Sequence, residues 1–345
     1  MSGIRDWGLT PGRLTPGPRN AITDVPGVTV GHYTLNDDKH HTGVTVIVPR
    51  PDVFLHKCVA AGHVINGYGK TAGLVQVQEL GTLETPIALT NTLNVGKIHD
   101  ALVGYTVQHC AELGEEVHSA NPVVGECNDS GLNYIMDRPL GEAELLAALQ
   151  AAGQDVPQGC VGAGMGMICH GLKGGIGTAS RIIDLDGQQF TLGVLTLCNH
   201  GRLDELNICG RKLGTAIEQR MNERGLEVDK GSCMIIVATD LPVSSRQLGR
   251  ILRRTEAGLA RVGSYYGHGS GDIAIGFTTA FDIPENSDEI TEHYDLLRER
   301  RLEEAFLACA EATEEAVLNA LASATTLTGY TGKTTYALNE FKDLL

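Results

Sequence analysis

The chain predicts a single α/β domain of sheets covered by helices. Short runs of β-branched and apolar residues alternate with stretches of helical periodicity. No linker, repeat or composition shift divides the 345 residues. Hydrophobic residues make up 42% of the chain and charged ones 20%, so a full-sized core can form without disulfides or a structural metal.

The first twenty residues hold Pro11, Pro16, Pro18 and four glycines, and read as an arm lying on the body. Strands are expected at 28–33, 42–48, 59–65 and 86–89 from their β-branched clusters. Over 96–113 the apolar residues Val103, Val107, Cys110 and Leu113 recur at helical spacing, and the Ala/Leu-rich 140–152 predicts a second helix. Segment 159–177 carries eight glycines in nineteen residues, which calls for tight turns and close backbone approaches. Next, 181–184 and 189–197 flank an Asp186-Gly187 pair, a strong hairpin signal whose second strand runs into Asn199. A polar stretch over 210–230 precedes Ser232-Cys-Met-Ile-Ile-Val-Ala, which suits a strand buried on both faces. Ser244 or Ser245 can cap a helix with Leu248, Ile251, Leu252, Leu259 and Val262 on one face. A strand at 272–280 and the longest helix, at 302–321, complete the order.

Acidic residues outnumber basic ones by 42 to 27, a net charge of −15. A nonspecific nucleic-acid binder needs phosphate-neutralising cations, so that class is disfavoured, and an anionic membrane surface with it. The nine cysteines are odd in number, dispersed and never spaced CxxC, which suits buried thiols in a reducing compartment and no zinc site. With no signal-peptide core near the N-terminus and no apolar run of membrane length, a cytoplasmic protein is expected.

Several motifs fail. Gly69-Lys70-Thr71 and Gly332-Lys333-Thr334 lack the upstream glycine of a phosphate loop, those positions being Val64 and Leu327. No GxGxxG joins a strand to a helix, no HExxH supplies a helix-borne zinc pair, and no serine sits in GxSxG.

Gly231-Ser232 at the mouth of the apolar strand is different. A chain cut there gives Ser232 both a hydroxyl nucleophile and, on its own backbone nitrogen, a general base titrating near ~8. Gly231 suits self-cleavage by attack on its carbonyl, because glycine can adopt strained torsions. An ordinary turn before a strand is the competing reading.

The chain resembles the DmpA-type L-aminopeptidase/D-esterase family, which includes β-aminopeptidases and exposes its nucleophile by cutting itself. The resemblance spans nearly the whole length. It rests on Ile22-Thr-Asp-Val-Pro-Gly-Val, Thr42-Gly-Val-Thr-Val-Ile, Asn66-Gly-Tyr-Gly-Lys, Glu84-Thr-Pro-Ile-Ala-Leu-Thr-Asn-Thr-Leu, Pro122-Val-Val-Gly-Glu, Gly164-Met-Gly-Met-Ile-Cys, Lys173-Gly-Gly-Ile-Gly-Thr, Gly231-Ser232 and Ser270-Gly-Asp. It implies an αββα sandwich of the DmpA/ornithine-acetyltransferase type, one catalytic domain over 1–345, self-cleaved into 1–231 and 232–345.

By position, Ser232 resembles the family's nucleophile and Asn199 its oxyanion-stabilising asparagine. Ser270 corresponds to the serine beside the nucleophile and its amine, with Asp272 orienting that network. Two residues apart on a strand, these would share a face. Glu126 matches the acid that pairs with the substrate ammonium. The family's aminopeptidase branch has Tyr where this chain has Asn128, and often Glu at Asp272, so Asn128 and Asp272 alter the pocket. The resemblance implies removal of N-terminal residues from small peptides, amides or esters through an acyl-enzyme, with no metal or organic cofactor. A homo-oligomer, expected to be a tetramer of processed units, goes with it. The alternatives are an amidase or acyltransferase on non-peptide amino amides, and an unprocessed, non-catalytic binding protein on the same scaffold.

Overall fold

A computed structural model describes residues 3–221 and 231–345. Strands β1 (Thr29–Asn36), β2 (His41–Val48), β3 (His56–Asn66), β4 (Thr82–Leu83), β5 (Ile87–Asn91) and β6 (Val123–Cys127) fill the first third. Helix α1 (Leu74–Leu80) lies among them, and α2 (Val95–Glu112) and α3 (Glu142–Gln150) follow β5 and β6. Two short ribbons, β7 (Ile168–Cys169) with β8 (Leu172–Lys173) and β11 (Asn207–Ile208) with β12 (Arg211–Lys212), bracket the long hairpin β9 (Gly175–Leu185) and β10 (Gln188–Asn199). Then come α4 (Gly214–Met221), β13 (Ser232–Thr239), α5 (Ser245–Leu252), α6 (Thr255–Arg261), β14 (Gly271–Pro284) and α7 (Glu303–Ser323).

These strands form two sheets, ordered β1-β2-β5-β6 and β4-β3-β14-β13-β10-β9. Three apolar layers account for the stacking. One joins α2 and α3 to the four-stranded sheet through Val46, Ala88, Ile98, Leu102 and Leu145. A second fills the space between the sheets with Ile47, Leu89, Leu197, Met234 and Ile275. The third packs α5, α6 and α7 on the six-stranded sheet through Val194, Ile235, Leu252, Leu259 and Val317. The expected αββα sandwich is thus formed, and strands such as β13, covered on both faces, have no polar side to expose.

The hairpin forms as expected, with Asp186 and Gly187 both at positive φ (57° and 89°), the pair of torsions a two-residue turn needs to match strand twist. The N-terminal arm also lies on the body. Arg13 and Leu14 donate their backbone N–H groups to Glu311 of α7, and Arg5 pairs with Glu315 at 2.6 Å. Fully buried Arg181 meets the same two carboxylates, at 3.2 Å (Glu311) and 2.8 Å (Glu315).

Two expectations are corrected. Helix α2 buries Val95, Ile98, Leu102, Thr106 and Cys110, while Val107 and Leu113 are exposed, so its core face is turned by about one residue from the one the larger apolar side chains suggest. The expected helix from Ser244 to Val262 divides into α5 and α6 at Arg253 and Arg254, where the Thr255 hydroxyl donates to the Leu252 carbonyl at 2.7 Å. Ser244 caps α5, accepting from the Gln247 N–H at 3.3 Å. The last nine residues of the polar stretch, 222–230, lie outside the described residues.

Candidate active site

Strand β13 begins at Ser232 in the middle of the six-stranded sheet, antiparallel to β10 and parallel to β14. Register puts Ser232 directly opposite Asn199 on one side and Gly271 on the other. Both Ser232 and Asn199 are nearly buried, at 7% exposure. The Gly271 N–H donates to Ser232 Oγ at 3.3 Å, and among the described residues no histidine reaches that hydroxyl.

What requires glycine is proximity, since a Cβ at 231 would sit 1.6 Å from the Asn199 carbonyl oxygen. Gly271 is equally confined: a Cβ there would lie 2.1 Å from the Tyr68 carbonyl oxygen, so the Tyr68 backbone passes directly over the residue that pairs with Ser232.

The Asn199 amide is held at both ends. Its Oδ1 accepts the Ile168 N–H at 2.8 Å and its Nδ2 donates to the Asn128 carbonyl at 3.0 Å, which leaves one N–H free to serve the space beside Ser232. Asn128 therefore acts on the site through its backbone; its own side chain is exposed and accepts from the Ser130 N–H at 2.9 Å. The loop carrying Ile168 is fixed in turn by fully buried Lys173, whose ammonium donates to the carbonyls of Met167 and Gly174 at 2.9 Å and of Gly164 at 3.2 Å. Burial pushes that lysine below its usual pKa.

Ser270 precedes β14, so strand alternation does not join it to Asp272. Both are fully buried, and Ser270 Oγ has no hydrogen-bond partner. Asp272 pairs in register with Cys233 and has Tyr266 close enough that burial and the nearby Glu256 and Asp272 charges all push the phenol upward. The Asn66 side chain closes this corner by donating to the carbonyls of Gly267 and Ser270.

Glu126 belongs to the four-stranded sheet, on β6. Its carboxylate accepts the Lys70 N–H at 3.0 Å and the Thr92 hydroxyl, and it is 5% exposed. Residues 66–71 thus run from Asn66, which holds the Ser270 loop, past Gly271 to Glu126. Next to Glu126, the Cys127 thiol donates across the sandwich to the Ser232 carbonyl at 3.3 Å, and burial keeps it protonated. Asp129 is buried behind Asn128, where desolvation raises its carboxyl to about 6. Sequence reasoning missed Ile168, Lys173, Cys127, Thr92 and the Gly271 N–H, although Asn66, Lys70 and Lys173 stood in the segments that carried the resemblance.

The arrangement presents a hydroxyl on a strand end, flanked by backbone and amide N–H donors, with a carboxylate on the facing sheet. Such a set can add a hydroxyl to a carbonyl and stabilise the resulting oxyanion. Known proteins resemble this chain over nearly its whole length. A beta-peptidyl aminopeptidase of Sphingosinicella xenopeptidilytica is 36% identical over 97% of this chain and 88% of its own. The solved structure of a Burkholderia beta-aminopeptidase superposes with a TM-score of 0.92 at 38% identity, covering 100% of this chain and 98% of that one. The L-aminopeptidase D-Ala-esterase/amidase of Ochrobactrum anthropi, described as a variant of the N-terminal-nucleophile hydrolase fold, gives 0.91 at 33% identity over both chains in full. A Pyrococcus horikoshii protein gives 0.93 at 41%, covering 99% of this chain and 98% of its own. The family model of peptidase family S58 matches residues 20–335, and the chain belongs to that family as a serine-type aminopeptidase of the N-terminal-nucleophile class.

Proposed function

We propose that the chain cleaves itself between Gly231 and Ser232, leaving 1–231 and 232–345 associated, and that Ser232 then removes N-terminal residues from small peptides, amides or esters. The observation that carries this reading is the direct pairing of Ser232 with Asn199 at the strand mouth, with Gly231 packed on the Asn199 carbonyl. In the first event Ser232 Oγ adds to the Gly231 carbonyl carbon, the C–N bond breaks as the hydroxyl proton passes to the departing nitrogen, and the free Ser232 amine and an ester result; water then hydrolyses the ester to a Gly231 carboxylate and restores the Ser232 hydroxyl. In turnover that amine takes the hydroxyl proton as Oγ bonds the substrate carbonyl carbon. The oxyanion is stabilised by the free Asn199 N–H, and the ammonium returns the proton to the leaving amine. Water repeats the sequence on the acyl-enzyme. Among the described residues no histidine reaches Ser232 Oγ, which favours the α-amine as base.

Glu126 takes the substrate's ammonium, and Ser270 and Asp272 arrange the Ser232 amine. The names of the relatives extend the substrate class to β-amino-acid peptides. A cytoplasmic homo-oligomer of processed units, a tetramer, completes the proposal. Denaturing electrophoresis and intact-mass analysis test it: two fragments are expected, the smaller beginning at Ser232. A chain that stays whole after long incubation, or is cut elsewhere, removes the mechanism.

A further inference from the structure

Behind Asn199 and Ser232, on the side of the six-stranded sheet that faces the helices, three thiols and an imidazole converge. Strand alternation puts them there. Leu197 and Met234 belong to the core between the sheets, so Cys198 and Cys233, directly opposite each other in register, point into the helix-facing core. Cys169 of β7 and His200, the residue after β10, join them, and all four are at most 1% exposed. The ligating atoms of Cys169, Cys198 and His200 lie within 4.8 Å of one another, with Cys169 Sγ 3.9 Å from His200 Nδ1. Two ligands of a tetrahedral zinc ion, with bonds of about 2.3 Å to sulfur and 2.0–2.1 Å to nitrogen, stand roughly 3.6–3.8 Å apart. For these three ligands, closure needs shifts of about an ångström or less.

We propose that Cys169, Cys198, Cys233 and His200 form a Cys3His site for zinc(II), loaded as the chain folds and tying β7, β10 and β13 together behind the catalytic serine. The donor set contains sulfur and nitrogen and no oxygen, which selects a thiophilic ion over magnesium or calcium. Cys233, directly opposite Cys198 in register and on the same face, supplies the fourth ligand by turning its thiol away from the Met234 carbonyl, which it now faces at 4.0 Å. The Cys198 thiol donates to Thr196 Oγ1 at 3.1 Å, and once the sulfur has lost its proton to a metal that hydroxyl can donate to it instead. Among the described residues the His200 ring has one hydrogen-bond contact, from Nδ1 to the Cys169 thiol at 3.9 Å, so Nδ1 is the atom that faces the cluster. The assignment departs from the metal-free expectation because the ligands come from three segments distant in sequence.

One consequence rests on the reading of Ser232 and Asn199 given above; the site itself does not. Cys169 follows Ile168, whose N–H holds Asn199 Oδ1, and Cys198 precedes Asn199, so the ion would fix the oxyanion donor from both sides.

The test uses the full chain, refolded with zinc(II) or cobalt(II) alone. One metal per chain by elemental analysis is expected. The cobalt form should show thiolate-to-metal charge transfer and intense tetrahedral ligand-field bands. Both signals should vanish in Cys169→Ala and Cys198→Ala and persist in Ser232→Ala and in Cys160→Ser, which removes a half-buried thiol elsewhere. Wild-type Tm should rise with zinc. A folded wild-type chain without a cobalt charge-transfer band overturns the proposal, as does a spectrum that survives both cysteine variants. If those variants fail to fold, the wild-type cobalt spectrum decides alone. A metal-free wild type should lose kcat with KM little changed. Binding read without activity, and retained in Ser232→Ala, separates failure of this site from failure of the catalytic reading.

Discussion

Replacing Gly231 by alanine tests the geometry of the cleavage site more sharply than removing the nucleophile does. The added Cβ would stand 1.6 Å from the Asn199 carbonyl oxygen, 2.5 Å from its carbon and 2.8 Å from His200 Cα. Real Cβ contacts essentially never fall below 3.0 Å, so either strand end must move by at least 1.4 Å, the difference between 3.0 and 1.6. Both obstacles are backbone, and no rotamer relieves them. A misplacement of about 1 Å at a reacting centre can cost 10²-fold, so self-cleavage of Gly231→Ala should slow by roughly that factor or more. Appearance of the fragment 232–345 is followed by intact mass from freshly refolded chain, with circular dichroism showing that the fold survives. Gly104→Ala is the control, because a Cβ in that part of α2 meets nothing within 4 Å and should leave processing unchanged. Processing of Gly231→Ala at the wild-type rate would refute the close approach and the account of why glycine stands before the serine.

Asn199→Ala should lose about 10²- to 10³-fold in turnover; Asn199→Asp, which keeps an acceptor for Ile168, should lose as much with less harm to stability, and full activity in the aspartate variant would reassign the oxyanion donor. Glu126→Gln should narrow the preference for a free-amine p-nitroanilide over its N-acetylated form by lowering activity on the former, and unchanged discrimination in steady-state kinetics would show that the ammonium is read elsewhere. Glu315→Ala leaves Arg181 buried without one of its two carboxylates and also frees Arg5, so chemical denaturation should show a loss of about 3–5 kcal/mol; a loss below about 1 kcal/mol would mean the arm's network adds little. Asp129 and His32 oppose each other in pH dependence. The Asp129 carboxyl is raised from 3.8 to about 6, so the folded chain holds a proton that the unfolded chain releases, and stability falls as pH rises through that window by up to ~3 kcal/mol. His32, lowered by burial from 6.5 to about 4, makes stability rise with pH over nearly the same range. Wild type should therefore be nearly flat from these two groups, and Asp129→Asn should unmask a rise between pH 4 and 6.5; parallel profiles for the two proteins would contradict this.

What could be read in the sequence was set by local chemistry. Asp186-Gly187 specifies its own turn, and the run after Ser232 has no polar face to offer a sheet edge, so the hairpin and β13 were legible. Helix α2 was found but turned wrongly, because Ala101 and Thr106 are small or polar and pack in the core while Val107 does not. The break between α5 and α6 depends on one hydroxyl turning back to a carbonyl, which periodicity cannot register. At the site, Ser232, Asn199 and Glu126 were reached through a resemblance of motifs. The groups that aim them were not, since the Ile168 N–H, the Asn128 carbonyl and the Gly271 N–H are backbone, and every residue type but proline supplies the same N–H.

The division of the site between two sheets has a chemical consequence. The six-stranded sheet contributes the hydroxyl and the Asn199 amide, whereas the facing sheet contributes Glu126, and residues 66–71 with the Cys127 thiol join the halves. In the proposed mechanism, bond making depends on the register of β13 with β10, which the ladder holds over eight paired residues from Ser232 to Thr239. The Glu126 carboxylate depends on one N–H from Lys70 and one hydroxyl from Thr92. Substitutions around Lys70 or Thr92 can therefore redirect what the site accepts while the nucleophile stays aligned, whereas a slip of β13 by one residue would turn Ser232 to the helix side and abolish both cleavage and turnover.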